Sequence, residues 1–299
     1  MHEVSRRYTN IDEFSYVAEG DGRLKRTVIR SIERLTGQPK LKRMYLENQA
    51  NPRPGESFWD AAIRHLKLNV SYNKGGIDLI PETGPLVVVA NHPFGVLDGI
   101  VISYIISKVR DDFRILTNSV LYRAPEIRPF LLPIDFGEDK TALKTNLKTR
   151  ADARSHLADG GAVIVFPGGT VSTVPKPHYR RAIDPDWKPF TSQLISKSEA
   201  PVLPIFFDGQ NSRLFQLASH LSPTLRLSLL FNEVYRRIGT NVDLVIGQTI
   251  SHTKLADFTD RHELMAYLKG ETYKLAEQLP RSKRRRILRN GNHPIRSLL

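Results

Sequence analysis

The sequence contains no cysteine, which excludes disulfide bonds, zinc sites built on thiolates and a thiol nucleophile. It has no uninterrupted apolar run near the roughly 18 residues that a membrane-spanning helix needs. Its first residues, MHEVSRRYTNIDEF, lack the apolar stretch of a signal peptide. Together these absences predict a cytoplasmic protein that meets a membrane only at the membrane surface.

Acidic residues are also in deficit, because 44 lysines and arginines face 31 aspartates and glutamates and leave a formal net charge of +13. Such a charge predicts an anionic partner, either nucleic acid or an anionic membrane surface. No nucleic-acid-binding motif is recognisable, so nucleic acid is the less favoured partner. A basic amphipathic helix over 24–35 and the run RSKRRRILR at 281–289 favour peripheral binding to the inner face of the cytoplasmic membrane. Both segments are also typical of an ordinary solvated surface.

Apolar spacing and turn residues divide the chain into three sections. Residues 1–75 are predicted to form a helical section that can face a membrane, residues 76–280 an α/β domain, and residues 281–299 a basic tail. Strands that alternate with helices predict a mostly parallel central sheet flanked by helices. The predicted strands span 87–90, 113–117, 131–134, 162–166 and 202–207, and the predicted helices span 24–35, 58–68, 100–109, 141–158 and 262–279.

The stretch NHPFGVLDG at positions 91–99 follows a predicted strand and precedes a predicted helix. That order places His92 at the carboxyl end of a strand, where open α/β sheets form their sites. Asp98 falls near the start of the helix, where it can serve as an N-cap. A histidine and a carboxylate this close in sequence suit a general base and the group that orients it. The alternative is a structural histidine beside an ordinary helix cap.

Two further strand ends lead into polar or glycine-rich segments. FPGGTVST, positions 166–173, contains a Gly-Gly turn whose backbone N–H groups can bind an oxyanion or a phosphate, unless it is only a tight turn. DGQNSRLF, positions 208–215, follows the strand at 202–207. Between these segments lies KPHYRRAIDPDWKP, positions 176–189, a basic and aromatic loop that we expect beside His92.

Together these segments resemble the motifs of the glycerolipid and lysophospholipid acyltransferase superfamily, the PlsC-like enzymes. Asn91-His92 with Asp98 is similar to the first motif, FPGGT at 166–170 to the third, and VLPI at 202–205 to the proline-centred fourth. The patterns His-Pro-x-Gly-x-x-Asp at 92–98 and Phe-Phe-x-Gly-x-Asn-Ser at 206–212 are typical of its hemolysin-like branch. The resemblance spans about residues 75–250.

The chain departs from the family motifs at several positions. Five residues, rather than four, separate His92 from Asp98, so the turn has to bulge for the two side chains to meet. Gly168 stands where the family has glutamate, and Val171 where an arginine often follows the threonine. The second-motif arginine, with which glycerol-phosphate enzymes bind the acceptor phosphate, is not evident near 133–135. These departures weaken the case for a glycerol-phosphate acceptor and leave a lysophospholipid or a lyso-aminolipid, such as a lyso-ornithine lipid, as the expected acceptor.

The resemblance implies an O-acyltransferase that moves a fatty acyl group from acyl carrier protein or coenzyme A to the hydroxyl of a lysolipid. His92 would remove the hydroxyl proton, while Asp98 would hold the imidazole tautomer and stabilise its positive charge. The acyl thioester is a co-substrate, and neither a metal nor a further cofactor is expected. The residues expected to bind substrate are Asn91, Phe94, Gly95, Phe166, Pro167, Gly168, Gly169, Thr170, Arg180, Arg181 and Asn211.

Other interpretations stay open from the sequence. A hydrolase of thioesters or lipids would require a nucleophile, and no Gly-x-Ser-x-Gly elbow is present. A non-catalytic relative that only binds lipid is a second alternative, and a nucleic-acid-binding protein is a third. The apolar region at 214–231 can either face a membrane or belong to the core.

Overall fold

The computed structural model describes residues 22–35, 37–118, 125–135, 140–176, 179 and 181–280. Arg180 and the predicted basic tail at 281–299 lie outside these residues, so their roles stay predictions. The strands are β1 (Asn69–Ser71), β2 (Leu86–Ala90), β3 (Phe113–Asn118), β4 (Leu131–Ile134), β5 (Ala162–Val165), β6 (Val202–Asp208) and β7 (Asn241–Ile246). The helices are α1 (Arg23–Leu35), α2 (Gln38–Ala50), α3 (Phe58–His65), α4 (Val96–Ile106), α5 (Lys140–Ala158), α6 (Phe190–Ser198), α7 (Arg213–Leu221), α8 (Pro223–Ser228), α9 (Leu230–Arg236), α10 (His252–Ala256) and α11 (Arg261–Lys274), with short 3-10 helices at Ile77–Leu79, Pro125–Phe130 and Leu275–Gln278.

The strands form one seven-stranded sheet in the order β1-β7-β6-β2-β5-β3-β4. β2 lies at the centre and is parallel to β5 and β6, while β3 is parallel to β4 and β5. β7 runs antiparallel to β6 and parallel to β1. A mostly parallel sheet flanked by helices confirms the predicted fold class. The residues of β2, LVVVA, are all buried, as expected for a parallel strand covered on both faces.

Helices cover both faces of this sheet. On one face, Val88 of β2 belongs to a core cluster that includes Trp59 of α3 and Leu97 of α4. On the other face, Val89 belongs to a cluster that includes Leu157 of α5. Because alternate residues of a strand point to opposite faces, β2 joins the two cores and is held firmly on both sides.

Several predicted boundaries are wrong. α4 begins at Val96, before the predicted start at 100, because the turn preceding it closes at Gly95. The helix predicted over 58–68 ends at His65 and is followed by β1. The sequence pattern does not reveal α2, since Leu41 is its one buried residue and no apolar stripe marks it. The predicted division of the chain at residue 75 stays a prediction, although Trp59 of α3 packs in the main core.

Helices α7, α8 and α9 lie between β6 and β7, which are antiparallel neighbours. They therefore leave and re-enter the sheet at the edge where β2 and β6 end, which we call the carboxyl edge. α1 packs on α8, and we call α1 and α7–α9 together the helical cap. Its inner side chains form one cluster with Val171, and that cluster includes Phe215 and Leu230. In the part of the chain that the structure describes, no helix has both the length and the apolar character to cross a bilayer.

Candidate active site

His92 and Asp98 approach each other just beyond the end of β2. The imidazole Nδ1 of His92 lies 3.1 Å from Oδ2 of Asp98, within the reach that the sequence predicts. The angle at Nδ1 is not that of an aligned hydrogen bond, and a small rotation of the ring would align the pair. Such catalytic contacts commonly tighten only in complex with substrate. Because Nδ1 faces the carboxylate, Nε2 is the ring nitrogen that remains available to a substrate hydroxyl.

The turn between the two side chains accommodates the additional residue. Gly95 has a φ of 75°, a conformation in which glycine is strongly favoured. Oδ2 of Asp98 accepts hydrogen bonds from the N–H of Phe94 at 2.8 Å and of Gly95 at 3.0 Å. Asp98 is therefore not the N-cap of α4. It is the third residue of that helix, and its side chain reaches back to the turn.

The carboxyl group of Asp98 is completely buried. Burial raises the pKa of this carboxyl, while His92 and the amides of Phe94 and Gly95 act in the opposite direction. Its second oxygen, Oδ1, is buried and has no hydrogen-bond partner among the described residues. The site therefore places a carboxyl group in a low-dielectric setting directly beside the imidazole.

The position of His92 is fixed from one ring face and from its backbone. The imidazole stacks on Phe166, with ring centroids 4.1 Å apart and an interplanar angle of 25°. Its backbone N–H donates to Oδ1 of Asp184 at 3.1 Å, and its C=O accepts from the N–H of Ser172 at 2.8 Å. The side chain nevertheless keeps 18% of its surface exposed, so a held imidazole remains accessible to a substrate.

Asp184 is a site residue that the sequence analysis missed. Its Oδ1 accepts from the Ser172 hydroxyl as well as from His92, and its Oδ2 accepts from Nε1–H of Trp187 at 2.9 Å. The N–H of Asp184 donates to the Tyr273 hydroxyl at 2.9 Å. Burial, aided by the Asp184 carboxylate, raises the pKa of that hydroxyl well above its ordinary value. Asp184 thus joins the loop after β5 to the turn that bears His92 through its carboxylate, and to α11 through its backbone N–H.

The Gly168-Gly169 turn begins at Phe166, directly beside the imidazole. The N–H of Gly169 donates to the C=O of Phe166 at 3.0 Å, so this amide is used within the turn. Among the described residues, the amides of Gly168 and Thr170 have no hydrogen-bond partner. They are therefore better candidates for binding an oxyanion than the amide of Gly169.

Gly168 also lies against Asp184. A Cβ atom at this glycine would be 3.4 Å from the carboxyl carbon of Asp184, an ordinary contact distance. The Asp184 carboxylate therefore occupies the space beside the position where the resembling family has glutamate. Pro167 anchors the same turn, because its C=O accepts from the N–H of Lys188 at 2.8 Å.

Asn91 and Phe94 are both buried. Nδ2 of Asn91 donates to the C=O of Phe207 at 3.0 Å and its Oδ1 accepts from the N–H of Phe207 at 2.7 Å, which joins the ends of β2 and β6. The Phe94 ring lies 4.1 Å from the guanidinium carbon of Arg237, and a Cβ at Gly209 would overlap the ring. As placed, both side chains support the turn that bears His92, and direct contact with substrate stays a prediction.

Arg181 and Asn211 lie near the end of β6. The guanidinium of Arg181 pairs with the carboxylate of Asp208, which ties the basic loop to the strand end. The N–H of Ala182 strengthens this attachment by donating to Oε1 of Gln210 at 2.9 Å. The side-chain amide of Asn211 is buried, and neither of its polar atoms has a hydrogen-bond partner among the described residues. Because buried amides are normally paired, Asn211 stays a candidate for binding substrate.

Comparison with known proteins identifies the family of this chain. A family model described as acyltransferase matches residues 40–281. The lyso-glycine lipid O-acyltransferase of Phocaeicola vulgatus is 24% identical over 262 residues, which cover 84% of this chain and 88% of that protein. The lyso-glycine lipid O-acyltransferase of Bacteroides thetaiotaomicron is 23% identical over 235 residues, which cover 76% of this chain and 83% of that protein. The crystal structure of the 1-acyl-sn-glycerophosphate acyltransferase PlsC from Thermotoga maritima matches with a TM-score of 0.45 and 18% identity, over 90% of this chain and 86% of that chain.

Proposed function

This chain belongs to the acyltransferase family, and we propose that it transfers a fatty acyl group from a thioester donor to the hydroxyl of a lysolipid, with His92 as general base. The observation that carries this proposal is the pair formed by His92 and Asp98, with Nδ1 3.1 Å from Oδ2. A buried carboxylate behind an accessible imidazole is the arrangement that proton removal from a hydroxyl requires.

The proposed reaction needs no protein nucleophile. Nε2 of His92 takes the proton of the acceptor hydroxyl while the hydroxyl oxygen attacks the thioester carbonyl carbon. Asp98 stabilises the imidazolium that results, and the amides of Gly168 and Thr170 are proposed to bind the oxyanion of the tetrahedral intermediate. When the intermediate collapses, the carbon–sulfur bond breaks and the thiolate takes the proton back from the imidazolium. The products are the acylated lipid and a free thiol.

The acceptor is proposed to be a lyso-aminolipid of the glycine or ornithine type rather than a lysophospholipid. Two relatives that cover most of the chain are named lyso-glycine lipid O-acyltransferases. The arginine that would bind a glycerol phosphate is not evident near 133–135. Both observations favour an acceptor without a phosphate, and they support the preference independently.

A panel of acceptors tests this assignment. With palmitoyl-acyl carrier protein or palmitoyl-coenzyme A as donor, we expect kcat/KM for lyso-glycine or lyso-ornithine lipid to exceed that for lysophosphatidic acid by at least about tenfold, the size of one lost recognition contact. A preference for lysophosphatidic acid would contradict the acceptor. Release of free palmitate, unaffected by any acceptor, would show a hydrolase instead, and absence of both products would favour a non-catalytic relative.

We further propose that the helical cap rests on the inner face of the cytoplasmic membrane, from which a lysolipid would enter. α7 exposes three leucines on one side while its Phe215 is buried, and the exposed residues are Leu214, Leu217 and Leu221. α1 exposes Leu24 and Leu35 beside the exposed cations Arg23 and Arg34. Apolar side chains next to cations suit the surface of an anionic bilayer. This surface lies at the carboxyl edge, as does His92.

Removal of two of these leucines tests the membrane surface. Leu214→Ser with Leu217→Ser is expected to weaken binding to phosphatidylglycerol vesicles by about a hundredfold or more, because each buried leucine contributes roughly 1.5–3 kcal/mol. The measurement is sedimentation of the protein with vesicles. Leu143→Ser with Leu147→Ser on α5 is the matched control, since these leucines are 61% and 55% exposed, against 55% and 56% for the α7 pair. Equal losses from the two pairs would contradict a specific membrane surface on α7.

A further inference from the structure

Helix α5 presents an exposed surface that neither the active site nor the helical cap uses. Leu143 and Leu147 are one helical turn apart and are 61% and 55% exposed. Three cations, all exposed, flank them at the same spacing: Lys140, Lys144 and Lys148. The opposite side of the helix is buried against the sheet through Ala142, Thr149, Ala153 and Leu157. We call the side chains of 140, 143, 144, 147 and 148 the α5 surface.

The charges on this helix oppose its own stability. The first turn of α5 has no acidic residue, although the amino-terminal end of a helix dipole favours anions and disfavours cations. Lys140, in that first turn, therefore does not serve to stabilise the helix. Lys148 has a local partner, because its Nζ lies 2.6 Å from a carboxylate oxygen of Asp152. Local preferences are commonly broken at functional sites, so this cation is a candidate for binding.

The α5 surface projects beyond the carboxyl edge of the sheet. The side chain of Asn146 bonds both backbone groups of Asp135, just past β4, at 2.9 and 2.8 Å, and Thr149 donates to the C=O of Pro133 at 2.6 Å. These bonds fix Asn146 level with the end of β4. At a rise of 1.5 Å per residue, Lys140 then extends about 9 Å past that edge.

The same geometry brings this surface close to His92. α5 packs on β4 and β5, and β5 is the direct neighbour of β2. Adjacent strands lie about 5 Å apart, so β5 and β4 stand roughly 5–15 Å to the side of the strand that bears His92, and α5 lies about 10 Å above them, on the face of the sheet that carries Val89. An extended phosphopantetheine arm can span that distance from a protein bound at α5.

We propose that the α5 surface is the docking site of an acyl carrier protein, an acidic helical protein that presents its acyl thioester on a phosphopantetheine arm. The inference rests on the proposed function, since it names the donor of that reaction. Lysines complement the acidic surface of the carrier and speed its encounter with the enzyme, and the two leucines supply the apolar centre that a small protein interface needs. Coenzyme A is a small molecule, so its binding at the active site would not require exposed leucines on α5.

Direct binding tests the docking site without any assay of transfer. The anisotropy of a fluorescently labelled bacterial holo-acyl carrier protein is titrated with the full chain. Lys140→Glu with Lys144→Glu is expected to raise Kd by about tenfold or more, and the wild-type Kd should rise with salt. Arg154→Glu with Lys197→Glu is the matched control, because both residues are exposed, lie toward the opposite end of the sheet and give the same change in charge. Equal effects of the two pairs would overturn the proposal.

Steady-state kinetics with two acyl donors provide a second test of the docking site. The Lys140→Glu, Lys144→Glu variant should raise KM for palmitoyl-acyl carrier protein by about tenfold, with KM for palmitoyl-coenzyme A and kcat unchanged. Unchanged KM for both donors, or equal changes for both, would overturn docking at α5. Loss of vesicle binding in this variant would instead assign the surface to lipid. If the wild type acylates no lysolipid, the proposed function fails, and the anisotropy result still decides whether the carrier docks here.

Discussion

Alanine at position 92 is expected to lower kcat by about two to four orders of magnitude, the usual contribution of a general base. The acceptor would still bind, so KM should change little, and loss confined to kcat identifies a group that acts in the transition state. The measurement is steady-state transfer from palmitoyl-acyl carrier protein to the best acceptor of the panel. Equal rates for the wild type and His92→Ala would remove this histidine from the chemistry.

Asp98→Asn is the matched comparison, and its expected effect on kcat is smaller. An amide oxygen in place of Oδ2 can still accept from Phe94 and Gly95, so the turn is kept. The amide cannot neutralise the imidazolium, so the rate falls. Stability should not fall, because burial raises the pKa of Asp98 and the buried negative charge opposes folding.

The direction in which the free energy of unfolding changes with pH follows from the raised pKa of Asp98. A carboxyl group whose pKa is higher in the folded than in the unfolded state binds protons more tightly when folded. Its contribution to stability therefore decreases as pH rises from the unfolded pKa through the folded one. Asp98→Asn should remove this decrease, and denaturant titrations at several pH values would detect it. A variant that loses both stability and rate would show that Asp98 is mainly structural.

The central fold and the pair of His92 and Asp98 were accessible from the sequence because their signals are local. A continuous apolar strand followed by a glycine-proline turn and an apolar helix predicts a strand end with an exposed histidine. The order of β4, α5 and β5 along the chain follows from the same alternation. β7 could not be predicted this way, because its antiparallel pairing with β6 depends on how the intervening helices return to the sheet.

Asp184 could not be identified because its partners are distant in the chain. The structure brings it to His92, 92 positions earlier, and to Tyr273, 89 positions later. In sequence it stands in a polar loop, followed by Pro185 and by Asp186, which is exposed. Nothing local distinguishes the buried carboxylate from the exposed one. Only the fold shows that one of the two holds the backbone of His92.

Asp184→Asn is therefore expected to have the second large effect. An amide has one acceptor and one donor, but the carboxylate receives donors at both oxygens, from His92 and Ser172 at one and from Trp187 at the other. In either orientation of the amide, its NH₂ group opposes an N–H or O–H donor. We expect a loss of about 1–3 kcal/mol in the free energy of unfolding, as for a buried donor left unpaired. In the folded fraction, kcat should fall by about tenfold to a hundredfold, because small misplacement of a general base is costly.

Asp186→Asn is the control that isolates this effect. It makes the same substitution two positions along the same loop, at a fully exposed carboxylate that lies 3.4 Å from Nζ of Lys269. Although Lys269 is buried, the amide oxygen of the new side chain can still accept from its Nζ, so stability should fall by less than in Asp184→Asn and kcat should stay near that of the wild type. If Asp184→Asn lost stability while its folded fraction kept the wild-type kcat, Asp184 would be a structural residue only. A reduced kcat with unchanged KM would instead show that the imidazole is positioned through its backbone as well as through Asp98.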